Sequence, residues 1–172
     1  MATPELPDVL HFMQLLWAVV HGLQTTSKRM TRAIGVTGPQ RLALRVVGLF
    51  PGLSAGELAA ILHVHPSTLT GVLQRLVQQQ MVRRAGHPRD RRRAVLQLTA
   101  RGRRANKVKL GTVESAIAGA LEGVSNHDRR AAIRVLGRLA DHLEPSASRE
   151  RKSQPVRHQP PTAQSPGRHP HA

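Results

Sequence analysis

Between Arg83 and Arg104 the chain carries nine arginines (Arg83, Arg84, Arg89, Arg91, Arg92, Arg93, Arg101, Arg103, Arg104) and one acid, Asp90. Guanidinium groups are planar, forked and permanently charged, so this density suits a grip on phosphate. Gly86, His87 and Pro88 form a turn, after which Arg93, Val95 and Gln97 alternate with Ala94, Leu96 and Leu98, as in a half-buried strand. The arginines therefore coat a hairpin. A charge run is also what a merely solvated face looks like, so neighbouring residues must decide. Upstream, a helical projection at about 100° per residue puts Ser67, Gly71, Gln74 and Gln78 on one face, with Thr68, Thr70 and Arg75 at its flanks. No nucleophile, base and orienting group can be assembled from spacing. Glu57 is claimed by a helix cap and Asp90 by arginine, so the sequence predicts no enzyme and no cofactor. His63 and His65 have an i,i+2 spacing, but no carboxylate or cysteine lies nearby. They read as a polar turn rather than a metal site, and His158, His169 and His171 form at most an adventitious set.

Several elements must position these groups. Val9, Phe12, Met13, Leu16, Val19, Val20, Leu23, Met30 and Ile34 recur at three and four, predicting one long amphipathic helix over 8–34. Such a stripe is too long to be covered by one small neighbour. Thr37, Pro39 and Gln40 form a capping box opening a second helix with Leu42, Leu44, Val46 and Val47, which stops at Phe50-Pro51-Gly52. Ser54 to Glu57 is another capping box, beginning a short helix whose Leu58, Ala59, Ile61 and Leu62 face inward. After His63 to His65, Pro66 opens a helix running to about Gln80 that buries Leu69, Val72, Leu73 and Leu76. Beyond the hairpin, Thr99 caps a helix carrying Leu110, Val113, Ile117, Ala120 and Leu121. Ser125 and Asp128 open a last one with Ala132, Val135, Leu136, Leu139 and Leu143. The expected architecture is mainly α, six helices, with a small β-wing.

Composition narrows the function. The 172 residues suffice for one folded domain, expected over 1–144. Residues 145–172 hold six of the twelve prolines and few apolar residues, a composition expected to be a disordered basic tail. Net charge is +16, and a domain so basic usually serves a polyanion. Phe12, Trp17 and Phe50 are the only aromatics, which disfavours readers that stack single-stranded bases. The absence of cysteine excludes disulfides, thiolate metal sites and thiol-based redox sensing. The first ten residues carry two acids and no basic stretch, and no apolar run reaches the roughly 18 to 20 residues that span a bilayer. The expected location is cytoplasmic, associated with the nucleoid, with no membrane partner. Arginine outnumbers lysine 22 to 4, which hints at a GC-rich genome.

A short helix, a tight turn, a second helix with a small polar face and then a basic hairpin make a winged helix-turn-helix, whose second helix lies in the major groove. The chain resembles the MarR family of bacterial transcription regulators from Asp8 to Leu143. The resemblance is carried by Leu58-Ala59, Ser67-Thr68-Leu69-Thr70, Arg75-Leu76 and Met81-Val82-Arg83-Arg84, and above all by Asp90-Arg91-Arg92 followed by Val95, Leu96, Leu98-Thr99 and Gly102. It implies a homodimer through helices 8–34 and 99–144, with the DNA-binding lobe over 37–98. It further implies that Arg92 enters the minor groove while Asp90 holds it. Arg84, Arg89, Arg91 and Arg93 are then left for phosphate, and base reading falls to Ser67, Thr68, Thr70 and Gln74, while Arg75, off the centre of the exposed face, favours phosphate over a base edge. A pseudo-palindromic site with A/T-rich flanks is expected, since a wing arginine favours a narrow minor groove. Such regulators often release DNA on binding a small aromatic or phenolic anion. Trp17 and His21 are the candidate ligand residues. Two departures stand out: Gln80 replaces the usual glycine after the recognition helix, so that the helix is expected to extend or to lack a left-handed cap. Gly71 replaces a long polar residue and removes one base reader. The best reading is a homodimeric, sequence-specific repressor of double-stranded DNA. A sequence-tolerant architectural protein, or an interaction protein that has kept the fold and lost readout, stays open.

Overall fold

The computed structural model describes residues 5–87 and 90–143, with side chains at all of these except residues 87 and 90–93. The first stripe forms a single helix, α1 (Asp8–Ile34), about 40 Å long at 1.5 Å per residue. It stops where Gly35 takes a left-handed φ of 75° and returns its N–H to the Thr31 carbonyl. The two predicted capping boxes form. Thr37 and Gln40 cap α2 (Gly38–Leu49), with Pro39 in its first turn, and Ser54 and Glu57 cap α3 (Ala55–Ile61). Next come α4 (Pro66–Gln78), β1 (Val82–His87), β2 (Asp90–Leu98), α5 (Ala100–Lys107), α6 (Val113–Ala120) and α7 (Asn126–Leu143).

Among the described residues there are thus seven helices rather than six. The single helix expected after Thr99 is broken, because Gly111 adopts a left-handed φ of 68° and Thr112 then starts α6 with its own capping box to Ser115. Leu110, expected on that helix, sits in the break and is exposed. The wing is antiparallel, with Val82 opposite Leu98 and Gly86 opposite Ala94, and its register shifts between Gly86 and His87.

The core gathers Val36, Leu44, Val47, Leu58, Leu69, Leu73, Leu76, Met81, Val82 and Leu96 from α2, α3, α4 and the wing. Ala105 of α5 packs against it. Two residues read as inward, Leu42 and Ile61, are exposed instead, while Gln40 and Arg41 are buried. Periodicity that scores only apolar side chains rotates the inward face of α2 by about one residue. In α1 only Met30 is buried, and α6 and α7 bury nothing. The apolar residues of α1 and α7 therefore remain largely uncovered within one chain. None of the described helices is long and apolar enough to cross a membrane.

Gln80 behaves differently from the expectation. Helix α4 does not extend: it ends at Gln78, and Gln80 enters the left-handed region at φ 55° without being glycine. Met81 donates to the Leu76 carbonyl and Gln80 to the Val77 carbonyl, both at 2.9 Å. This is the Schellman pattern, held by burial of Met81 beside Leu76 in the core. A side chain in that backbone region carries strain that glycine avoids. Gln80→Gly is expected to stabilise the fold by a few tenths to about 1 kcal/mol, read as a raised urea midpoint at unchanged slope.

Candidate nucleic-acid interface

The helix-turn-helix geometry comes from two successive chain reversals. At the end of α3, Val64 donates to the Ala59 carbonyl and His63 to that of Ala60, while His63 takes a left-handed φ of 49°. His65 then becomes the N-cap of α4, its Nδ1 accepting the Ser67 N–H at 3.3 Å. Both histidines therefore serve the turn. No group of three or more metal-ligating side chains occurs among the described residues.

On α4 the buried side chains Leu69, Leu73 and Leu76 anchor one face in the core. Ser67, Thr68, Thr70, Gly71, Gln74 and Arg75 are all exposed. Ser67, Gly71 and Gln74 share the outer face at helical spacing. Thr68, Gly71 and Arg75 also line a cleft against the start of α2 at Thr37, Pro39 and Gln40. A Cβ added at Gly71 would meet nothing within 4 Å, so its missing side chain leaves open space on the outer surface.

The wing follows directly. Thr99 closes its base, accepting the Gly102 N–H at 3.0 Å and donating its hydroxyl to the Gln80 carbonyl at 2.6 Å. Leu96 donates to the Leu53 carbonyl at 2.8 Å, which ties β2 to the loop before α3. Gly102 is required here: a Cβ would lie 1.9 Å from the Met81 carbonyl oxygen. The Leu98-Thr99-x-x-Gly102 spacing is therefore a joint between wing, α4 and α5. Arg83 and Arg84 are exposed on β1, and Arg83 donates to the Gln97 side chain at 2.8 Å. Asp90, Arg91, Arg92 and Arg93 have their backbone in β2, while their side chains, and all of Arg89, lie outside the described residues. Between Glu57 and Glu114 the sequence contains no acid except Asp90, so the segment that carries α4, the wing and α5 is strongly positive in charge.

Sequence reasoning missed Arg41. It is 2% exposed and donates to Glu114 Oε1 from Nε at 2.6 Å, to the carbonyl of Ala105, and to that of Val108 at 2.5 Å. Burial raises the pKa of Glu114, but the Arg41 hydrogen bond leads a set of opposing effects that hold the carboxyl below its ordinary value. This cluster fixes α2 to the α5–α6 break. Spacing places Arg41 three residues before the core residue Leu44 and on the same side, but gives no sign of the distant acceptors that bury it.

Two further clefts border these elements. Asp8, Val9, Phe12, Met13, Leu16, Trp17, Leu139 and Leu143 line an almost wholly apolar groove between α1 and α7. Trp17 is thus in a cleft, whereas His21 is exposed and outside its lining. Beside the wing base, Arg83, Arg103, Lys107 and Asn106 surround a floor of Val47, Pro51 and Leu98.

A capped two-helix reader joined to an arginine-bearing hairpin defines a winged helix-turn-helix DNA-binding protein. Residues 34–93 match the model of the MarR family. The chain is 30% identical over 132 residues to the HTH-type transcriptional regulator TtmR of Methylorubrum extorquens, covering 77% of this chain and 67% of that one. It is 31% identical over 125 residues to the HTH-type transcriptional repressor Mb2911 of Mycobacterium bovis, covering 73% and 90%. The PcaV transcriptional regulator of Streptomyces coelicolor, solved in complex with its natural ligand, superposes with a TM-score of 0.62 at 22% identity, over 84% of this chain and all of that one. The chain belongs to the MarR family of DNA-binding transcriptional regulators.

Proposed function

We propose that this chain is a homodimeric, sequence-specific repressor that lays α4 in the major groove of double-stranded DNA and its wing in the adjacent minor groove. The observation that carries this reading is the two-sided α4. Its leucines are sunk in the core while Ser67, Thr68, Thr70, Gln74 and Arg75 are exposed on a segment rich in arginine. Arg92 enters the minor groove, Asp90 holds its guanidinium, and Arg84, Arg89, Arg91 and Arg93 meet phosphate. Dimerisation uses the uncovered faces of α1 and α7, where Val9, Trp17, Leu136 and Leu143 are each more than half exposed. A monomeric soluble protein rarely leaves so much contiguous apolar surface in water. A small aromatic anion acts as effector where these helices meet the DNA-facing lobe, with Trp17 as its reporter. The named repressor and the ligand-bound neighbour support repression and effector control.

Protection mapping on the DNA flanking the chain's own gene tests the reading, with sedimentation at matched concentration. A dimer protecting one pseudo-palindrome, with at least a thousandfold preference over random duplex at the same salt, is expected. Equal affinity for both duplexes identifies a sequence-tolerant architectural protein instead.

A further inference from the structure

Two hydroxyls on the exposed face of α4 have hydrogen-bond partners at the start of the helix. Thr70 Oγ1 donates to the Pro66 carbonyl one turn back at 2.8 Å. Ser67 Oγ lies 2.6 Å from His65 Nδ1, and the Ser67 N–H reaches the same nitrogen at 3.3 Å. A neutral imidazole has one bare nitrogen and one N–H. With Nδ1 bare, it accepts both the amide and the hydroxyl proton. With Nδ1 protonated, it makes only the bond to Oγ and leaves a first-turn amide without a partner. The amide bond favours the Nε2–H tautomer, in which the one Nδ1 lone pair is shared by the amide and the hydroxyl and the Ser67 proton points at His65.

We propose that His65 is a positioning residue for base readout: by taking the Ser67 hydroxyl proton it makes Ser67, like Thr70, an acceptor-only group, so that the first turn of α4 selects bases carrying an amino group. This deepens the proposed function and rests on α4 entering the major groove. In that groove adenine N6 and cytosine N4 are donors, whereas guanine offers only the N7 and O6 acceptors. Lone pair faces lone pair when guanine sits opposite Ser67 or Thr70. An acceptor-only hydroxyl is also unsuited to phosphate, which assigns Ser67 to a base edge. Donors on this face then come from Gln74 and Arg75, so amino groups are selected by the start of the helix and acceptors by its middle. The assignment uses Ser67 for its lone pairs rather than for a rotating hydroxyl that suits any base.

The test is selection from random duplexes by the full chain at fixed salt, with wild type, Ser67→Ala, His65→Ala and His65→Asn, together with the nitrogen chemical shifts of the His65 ring in the free protein. Asparagine is a good N-cap whose Oδ1 accepts from the Ser67 amide and hydroxyl. Wild type is expected to favour adenine or cytosine over guanine by roughly fivefold at the step whose preference Ser67→Ala removes, the effect of one hydrogen bond. His65→Ala loses the same preference with the other steps intact, and His65→Asn keeps it. A cap acting only on helix stability would weaken every step together. The ring shifts are expected to show the Nε2–H tautomer. Guanine favoured at that step, an unchanged profile in His65→Ala, or the Nδ1–H tautomer would overturn the proposal while leaving the DNA-binding function standing. Failure of wild type to select any sequence overturns the function itself.

Discussion

Replacing Arg41 with methionine is expected to destabilise the protein by about 1–3 kcal/mol, the cost of leaving acceptors without their donor, because Glu114 is 38% exposed and its charge stays partly solvated. The cost comes from what is left behind. Glu114 Oε1 loses its close cation, and the part-buried carbonyls of Ala105 and Val108 lose a donor. Unpartnered buried acceptors each cost about 1–3 kcal/mol. Arg45 keeps a cation 3.7 Å from Glu114 and softens the loss, but its side chain is substantially exposed and the pairing is weak. Arg41→Lys keeps the charge but not the planar fork, so it should recover only part of the loss. Urea unfolding at one fixed protein concentration checks the order wild type, Lys, Met, because the stability of a dimer depends on concentration.

The same cluster sets an acid limb. The Glu114 pKa is lowered in the folded protein, so the carboxylate contributes stability that is complete above its ordinary value of 4.5. That contribution is lost as pH falls through the lower folded pKa. Glu114→Gln should therefore be less stable than wild type near neutrality and should lose less on acidification. The side chain is 38% exposed, which screens the interaction and keeps the difference modest. Convergence of the two proteins' stabilities at acid pH is the expected result.

This cluster also marks how far the sequence was legible. Capping boxes are local, four residues long and chemically distinctive, so Thr37–Gln40, Ser54–Glu57 and the Thr99 cap could be read directly and all three form. The face of α4 was legible because its leucines repeat at helical spacing and its opposite side holds no large apolar residue. Arg41 was not, because burial of a guanidinium depends on acceptors from residues 64 to 73 positions away, which no local pattern encodes. The break before α6 turns on Gly111, one glycine in a segment whose apolar residues otherwise continue a helical count. Gln80 shows the opposite failure. A favourable local rule, glycine at the left-handed cap, was overridden by burial of Met81 next to Leu76, a tertiary effect stronger than the local strain. His65 was read as part of a turn, but its capping bond to Ser67 depends on ring orientation and appears only in the structure.

Arg92→Ala is expected to lower affinity for the protected site by roughly a hundredfold at fixed salt, about tenfold for each wing of a dimer. A guanidinium in a narrow A·T minor groove meets both an enhanced negative potential and base-edge acceptors. Its removal should therefore do two separable things. The slope of log affinity against log salt should fall by about 2, near 0.9 for each cation lost. The preference for A/T flanks should fall with it. Arg84→Ala serves as the contrast, because a cation on β1 that meets only phosphate should change the salt slope by a similar amount and leave sequence preference intact. Asp90 separates charge from position. Asp90→Ala removes the single acid of the wing, so random duplex should be bound more tightly. If Asp90 orients Arg92, the specific site should gain less than the random one, and the ratio of the two affinities should fall. Equal gains on both duplexes would reduce Asp90 to a charge at the hairpin tip and leave Arg92 to find the groove unaided. Specificity would then rest on α4 alone, whose outer face Gly71 leaves sparse.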